Sequence, residues 1–224
     1  ARLTGMPERS EDYPWPPGRY VRALLVMTLE GAISGIDGRS GSISGPADRE
    51  VLAAVRRYCD AVVVGAQTMR VERYNPMRTS PAIAKARTEQ GLAAAPRLVI
   101  LSGSLELPWA DPVYSESAMP PIIVTGAASD VDARKRVPQT CELLIAPTDR
   151  VEAGWLVDSL VERGLSRIVC EGGPGVLAEF LRAGVVDEWA LTLSGTLPSG
   201  SFVPVSAHCE DEFVFTRFVT KGDS

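Results

Sequence analysis

The residues that usually supply nucleophiles and metal ligands are scarce in this chain. One histidine, His208, and four scattered cysteines, Cys59, Cys141, Cys170 and Cys209, occur in 224 residues. No C-x-x-C pair exists, and a lone imidazole cannot build a His-rich zinc centre or a two-histidine metalloprotease helix. A Ser–His–Asp triad would have to use His208, which stands in the polar stretch 206–211. Unpaired cysteines in a domain of ordinary size read as reduced thiols of a cytoplasmic protein rather than a disulfide frame. The chemistry left open is that of a bound cofactor or of carboxylates.

Three segments could hold or serve such a cofactor. The first, Glu171-Gly172-Gly173-Pro174-Gly175-Val176-Leu177-Ala178, stands between a strand-like run and a helical one. Its glycines allow close backbone approach to an anion, and a helix N-terminus supplies free N–H groups and positive potential. Gly173-x-Gly175-x-x-Ala178 has the form of a dinucleotide fingerprint. Pro174 and the missing acidic residue after a second strand argue against an ordinary Rossmann site. A tight turn that binds nothing is the competing reading. The second segment, Gly65-Ala66-Gln67-Thr68 with Glu72-Arg73 behind it, repeats the strand–glycine–helix arrangement, with a surface helix as its alternative. The third runs from Thr28-Leu29-Glu30-Gly31 to Ser44-Gly45-Pro46 and is dense in Gly and Ser, as a ligand-wrapping loop or a merely flexible one would be. Arg56 and Arg57 follow it on a helix, and guanidinium forks suit phosphate.

The elements that position these segments alternate. Strands are expected over 21–27, 61–64, 98–101, 122–125, 167–170 and 189–193, and helices over 46–58, 66–72, 151–163 and 176–182. Val51, Leu52 and Val55 form a helical stripe after Pro46, while runs such as Val62-Val63-Val64 suit a doubly covered strand. Repetition of strand and helix predicts an α/β domain with a mostly parallel central sheet between helical layers and an antiparallel C-terminal strand over 212–220. In such sheets ligands sit at the carboxyl ends of the strands. The polar, proline-bearing connection 73–96 is long enough to expect a substrate lid or a mobile segment. Residues 1–20 read as an N-terminal arm, 21–224 as a single domain, with no internal repeat and no signal peptide.

Composition fits this picture. Hydrophobic residues make 45% and charged ones 23%, and the formal charge is −5. Those figures are enough for an ordinary globular core; no apolar run is long enough to span a membrane, and an acidic balance speaks against nucleic-acid binding.

In order and spacing, Thr28-Leu29-Glu30-Gly31, Ser44-Gly45-Pro46, Gly65-Ala66-Gln67-Thr68, Glu171-Gly172-Gly173-Pro174 and Val186-Asp187-Glu188 resemble the pyrimidine reductase family. This is the reductase domain of bacterial riboflavin biosynthesis, with a dihydrofolate-reductase-like fold. The resemblance extends over about 21–220. It implies a three-layer αβα fold, NADPH as cofactor, no metal, a homodimer, and hydride transfer from nicotinamide C4 to the ribosyl C1′ of a 5-amino-6-(5-phosphoribosylamino)uracil-type substrate. By position it places the cofactor against Val26, Thr68, Glu72, Ser102, Gly172, Gly173, Pro174, Gly175, Val176, Leu177 and Glu179. The substrate is expected at Glu30, Ser40, Arg56, Glu171 and Arg78 or Thr79, with Glu171 orienting it or polarising the reacting centre. The chain departs from the family where Leu24 replaces a basic residue of the first strand, Glu30 an aspartate, Ser42 an aromatic residue and Arg73 an acid. Without a zinc site the resemblance implies at most a stand-alone reductase. Alternatives on the same fold are a dihydrofolate or pterin reductase and a non-catalytic nucleotide-binding protein.

Overall fold

The computed structural model describes residues 12–197 and 200–221. Seven strands form one sheet: β1 (Tyr20–Thr28), β2 (Ala61–Gly65), β3 (Arg97–Leu101), β4 (Ile122–Thr125), β5 (Glu142–Ile145), β6 (Arg167–Cys170) and β7 (Glu188–Ser194). Their order is β5-β4-β3-β2-β6-β1-β7, and every pairing within it is parallel. The run Ala61-Val62-Val63-Val64-Gly65 sits near the middle and is buried throughout, as a strand covered on both faces requires. Alternation then divides the side chains: Val62, Val64, Leu98, Ile100 and Ile123 join one core, and Ala61, Val63, Val99, Ile122 and Val124 the other.

Helices cover both faces. α1 (Pro46–Arg56), α2 (Ala66–Glu72), α3 (Pro81–Glu89), α4 (Val113–Glu116) and α5 (Val131–Lys135) precede α6 (Ala153–Glu162) and α7 (Pro174–Arg182). Leu156, Leu160, Leu177 and Phe180 of α6 and α7 fill one core, whereas Val55, Met69, Val113 and Ala133 fill the other. The expected α/β architecture with a mostly parallel sheet is present.

Three differences from the sequence expectations have physical causes. The connection 73–96 is not a bare lid, because α3 lies within it. Ser80 caps α3 by accepting from the Ile83 N–H, and Pro81 occupies its first turn. Arg87, fully buried, donates from Nε to the Ala93 carbonyl and from Nη1 to the Arg57 carbonyl, which fastens the segment to the end of α1. The antiparallel strand β10 (Phe213–Thr220) does not edge the main sheet. It pairs with β9 (Gly200–Glu210), which pairs with β8 (Thr196–Leu197), in a separate three-stranded sheet. The third is β5, a four-residue edge strand of the main sheet that the sequence does not announce.

Of the expected arm, residues 1–11 lie outside the described residues. From residue 12 onward the chain runs onto β1, where Arg22 is fully buried. Its guanidinium donates to Glu188 at 2.6 and 2.9 Å and to the Pro14 carbonyl at 2.8 Å, and lies 4.4 Å from the Trp15 ring. With a longer bond from Nη1 to the Tyr13 carbonyl, four hydrogen bonds and an aromatic face satisfy a cation that would otherwise be costly to bury.

Candidate active site

The carboxyl ends of β1, β2 and β6 are adjacent, and α1, α2 and α7 start from the loops that follow them. A cleft of about 470 Å³ opens there, within the size range of small-molecule sites. Its apolar wall includes Leu24, Val26, Leu52 and Leu177; its polar wall includes Ser40, Arg56, Thr68, Glu72, Tyr74 and Glu171.

Glu171 follows β6 and is almost wholly buried, with its side chain 6% exposed. Its carboxylate accepts from Arg56 Nε at 2.6 Å through Oε1, and from Arg56 Nη2 and the Tyr74 hydroxyl, the latter at 2.7 Å, through Oε2. The Arg56 guanidinium carbon also lies 5.4 Å from the centre of the Tyr74 ring. Burial works against the charge of Arg56, but the Glu171 carboxylate outweighs it and holds the guanidinium above its ordinary pKa. Burial, and then the Glu171 charge, push the Tyr74 phenol well above its usual value, so the hydroxyl keeps its proton and acts as a donor.

Tyr74 reaches the cleft because α2 ends at Arg73, a left-handed residue with φ 54° whose guanidinium is tied to Asp111 at 2.6 Å. Glu72 accepts from the Ser40 N–H at 2.7 Å and so ties the Gly/Ser loop to α2. A short 3₁₀ turn, Ser40–Ser42, follows this anchor. Gly172 (φ 80°) and Gly173 turn the chain from β6 into α7, and the Gly172–Gly173 peptide is cis. The Gly172 carbonyl accepts from Gly65 N–H at 2.7 Å, which brings the starts of α2 and α7 together. A Cβ on Gly173 would stand 3.0 Å from Thr68 Oγ1. No side chain caps α7, whose N-cap is Gly173.

Val26, Ser40, Arg56, Thr68, Glu72, Glu171, Gly173, Pro174 and Leu177 all line the cleft. Gly172, Gly175 and Val176 belong to the same turn and helix start without lining it, Val176 standing behind Gly65 instead. The remaining candidates are elsewhere. Ser102 is buried and accepts from the Leu105 N–H, which shapes the turn after β3. Glu179 is paired with Arg182 further along α7. Arg78 donates to the Glu116 carbonyl and carboxylate, and Thr79 to the Ala94 carbonyl. Glu30 is exposed in the turn after β1. His208 stacks on Phe215 in the separate sheet, ring centres 4.9 Å apart. Burial pushes the Cys59 and Cys170 thiols up to about 12, which keeps them inert.

Sequence reasoning misses Tyr74 and Arg49. The signal for Tyr74 is an aromatic residue just past a helix in an otherwise polar stretch. For Arg49 it is helical spacing: Arg49, Leu52 and Arg56 follow one another at three and four residues and share the α1 face that lines the cleft. Among the described residues no cluster of His, Cys, Asp or Glu could hold a metal, and no helix is long and apolar enough to cross a membrane.

Comparison with known proteins bears on this geometry. The model of the RibD C-terminal domain matches residues 19–197. The chain is 26% identical over 181 residues to the 2,5-diamino-6-ribosylamino-4(3H)-pyrimidinone 5′-phosphate reductase of Methanothermobacter thermautotrophicus, covering 81% of this chain and 80% of that protein. It is 28% identical to the riboflavin biosynthesis protein RibD of Bacillus amyloliquefaciens over 83% of this chain but 48% of that one, about half its length. Among solved structures, a pyrimidine reductase-like protein from Corynebacterium diphtheriae superposes with a TM-score of 0.70 at 25% identity, over 97% of this chain and 96% of that one.

Proposed function

The chain belongs to the family of RibD C-terminal domains, and from that premise we propose that it is an NADPH-dependent reductase of a phosphorylated ribosylamino-pyrimidine of the riboflavin pathway. The observation that carries this reading is the buried Glu171–Arg56–Tyr74 cluster, set in an apolar cleft beside a Gly-Gly turn. The residues present fit a dinucleotide. The Gly173 cradle is a space that a Cβ would narrow against Thr68, and it opens onto a helix end that no side chain caps, as an anionic pyrophosphate requires. Gly173, Pro174, Leu177, Thr68 and Val26 would hold the cofactor.

When bound, NADPH would supply a hydride to the ribosyl C1′; the bond from C1′ to the ring oxygen would break, and that oxygen would take a proton from solvent as the sugar opens. The protein supplies geometry. Glu171, fixed by two partners, has lone-pair capacity left to orient a hydroxyl or amine of the substrate, and the apolar wall keeps water from the transfer. Leu24 on that wall favours a second reading, a pterin such as dihydrofolate as substrate, because a basic residue of the family is absent there. Residues 21–224 acting as one reductase domain, a reducing cytoplasmic setting for the four thiols, and a homodimer complete the proposal.

Absorbance of NADPH, followed with the ribosylamino-pyrimidine phosphate and separately with dihydrofolate, tests it. Oxidation with the first alone supports the proposal; oxidation with the second alone replaces it by the pterin reading; oxidation with neither refutes both. Glu171→Gln is expected to lower turnover about 100-fold, the scale of one lost polar group at a reacting centre, while NADPH affinity measured by tryptophan quenching stays within about twofold.

A further inference from the structure

Substrate binding in the proposed function needs a cation for a phosphate ester, and most of the arginines near the cleft are already engaged. Two line the cleft, Arg49 and Arg56. Arg56 is neutralised by Glu171, and Arg78 is held by Glu116 outside the cleft. Among the described residues Arg49 has no side-chain hydrogen bond and no ion pair. The neighbouring carboxylate, Asp48, accepts from the Ser44 hydroxyl at 2.6 Å.

Helix stability does not explain Arg49. It stands in the first turn of α1, where the macrodipole disfavours a cation. From there it lies seven residues from Arg56 on the same helix face, about 10 Å along the axis. A substrate whose reacting carbon is held at Glu171 therefore has a free guanidinium two turns away along the cleft wall. A five-carbon sugar carrying a terminal ester fits within that span once side-chain reach is included.

Resting on the reading of the site given above, we infer that Arg49 is the phosphate anchor of the substrate subsite and sets the preference for a phosphorylated over a dephosphorylated substrate. The guanidinium fork would take two ester oxygens.

The test compares wild type, Arg49→Ala and Arg49→Lys in two measurements. Calorimetric titration with ribose 5-phosphate and with ribose needs no turnover. Wild type is expected to bind the phosphate ester at least tenfold more tightly than ribose, and Arg49→Ala to lose that preference, Arg49→Lys retaining part of it. In the reductase assay, KM for the phosphorylated pyrimidine should rise at least tenfold in Arg49→Ala, with NADPH affinity and the melting temperature unchanged. A wild type that does not distinguish ribose 5-phosphate from ribose, or an Arg49→Ala protein that keeps the preference, overturns the inference. So does an Arg49→Ala protein that loses affinity for NADPH instead, because the arginine would then serve a cofactor phosphate. Absence of turnover with intact ribose 5-phosphate discrimination would refute the proposed reaction and leave the phosphate subsite standing.

Discussion

At the scale of single residues, the site turns on how one carboxylate is held. Glu171 is too enclosed to move and too well partnered to act alone: Arg56 takes both of its oxygens and Tyr74 adds a donor to one of them. Tyr74→Phe removes that donor while leaving the ring beneath the guanidinium. A hydrogen bond to a charged group contributes about 1.5–3 kcal/mol, so kcat with the pyrimidine substrate should fall about tenfold or more, with NADPH affinity retained. The same substitution has a signature in stability. The folded-state pKa of Tyr74 lies well above the 10.0 of an ordinary phenol, through burial first and Glu171 second. Its contribution is therefore complete below pH 10 and is lost as pH rises toward the folded value, because only the unfolded chain releases the proton there. Urea titrations at pH 9 and pH 11 should show a smaller alkaline loss for Tyr74→Phe than for wild type. An equal loss in both would mean that the phenol is not held as described.

At the scale of elements, the contact between the starts of α2 and α7 shapes the half of the cleft that the proposal gives to the cofactor. Gly65 and Gly173 face each other's helices, with Val176 Cγ2 and Thr68 Oγ1 each 3.0 Å from where a Cβ would stand. Gly173→Val should therefore push Thr68 aside and narrow the cradle. Tryptophan quenching is expected to show NADPH affinity falling at least tenfold, and a binding curve like that of wild type would count against a dinucleotide in this turn. These elements are legible in the sequence because their signals are local. Val62-Val63-Val64 reads as a covered strand, Pro46 with a 51–52–55 stripe as a helix, and Glu171-Gly172-Gly173-Pro174 as a strand-to-helix turn. The chemistry built between elements is less so. Tyr74 and Glu171 are 97 positions apart and Arg56 and Glu171 are 115 apart, so no window of sequence contains the cluster. Polarity misleads at 73–96, where the Ser80–Pro81 helix start is present but the buried anchor, Arg87, is a residue type normally assigned to solvent. The strand β9 escapes pattern reading because Pro204 and several small polar residues interrupt its alternation.

At the scale of the whole molecule, two apolar surfaces stand exposed among the described residues. β9 and β10 form a long ribbon whose residues are mostly exposed on both faces, including Phe213 and Val214 at 64% and Val205 at 48%. On the main sheet, edge strand β7 exposes Trp189, Leu191 and Leu193 from alternating positions, hence from one face. A ribbon of two long strands edged only by the two-residue β8 is marginal in water without a surface to cover it, and apolar exposure of this kind suits an interface. The proposed homodimer is the occupant that needs no second protein, since a two-fold axis lets the same surface serve on both copies. Phe213→Glu and Leu191→Glu, made separately, tell the two patches apart. Light scattering should give a dimer mass for wild type, and a monomer mass at micromolar concentration for whichever variant places a buried charge in the interface. Because the cleft lies at the ends of β1, β2 and β6 and not on the ribbon, Phe213→Glu should retain NADPH binding even as a monomer. A wild type that runs as a monomer at that concentration would remove the second copy from the account, and two variants that both remain dimeric would remove these two patches from its interface.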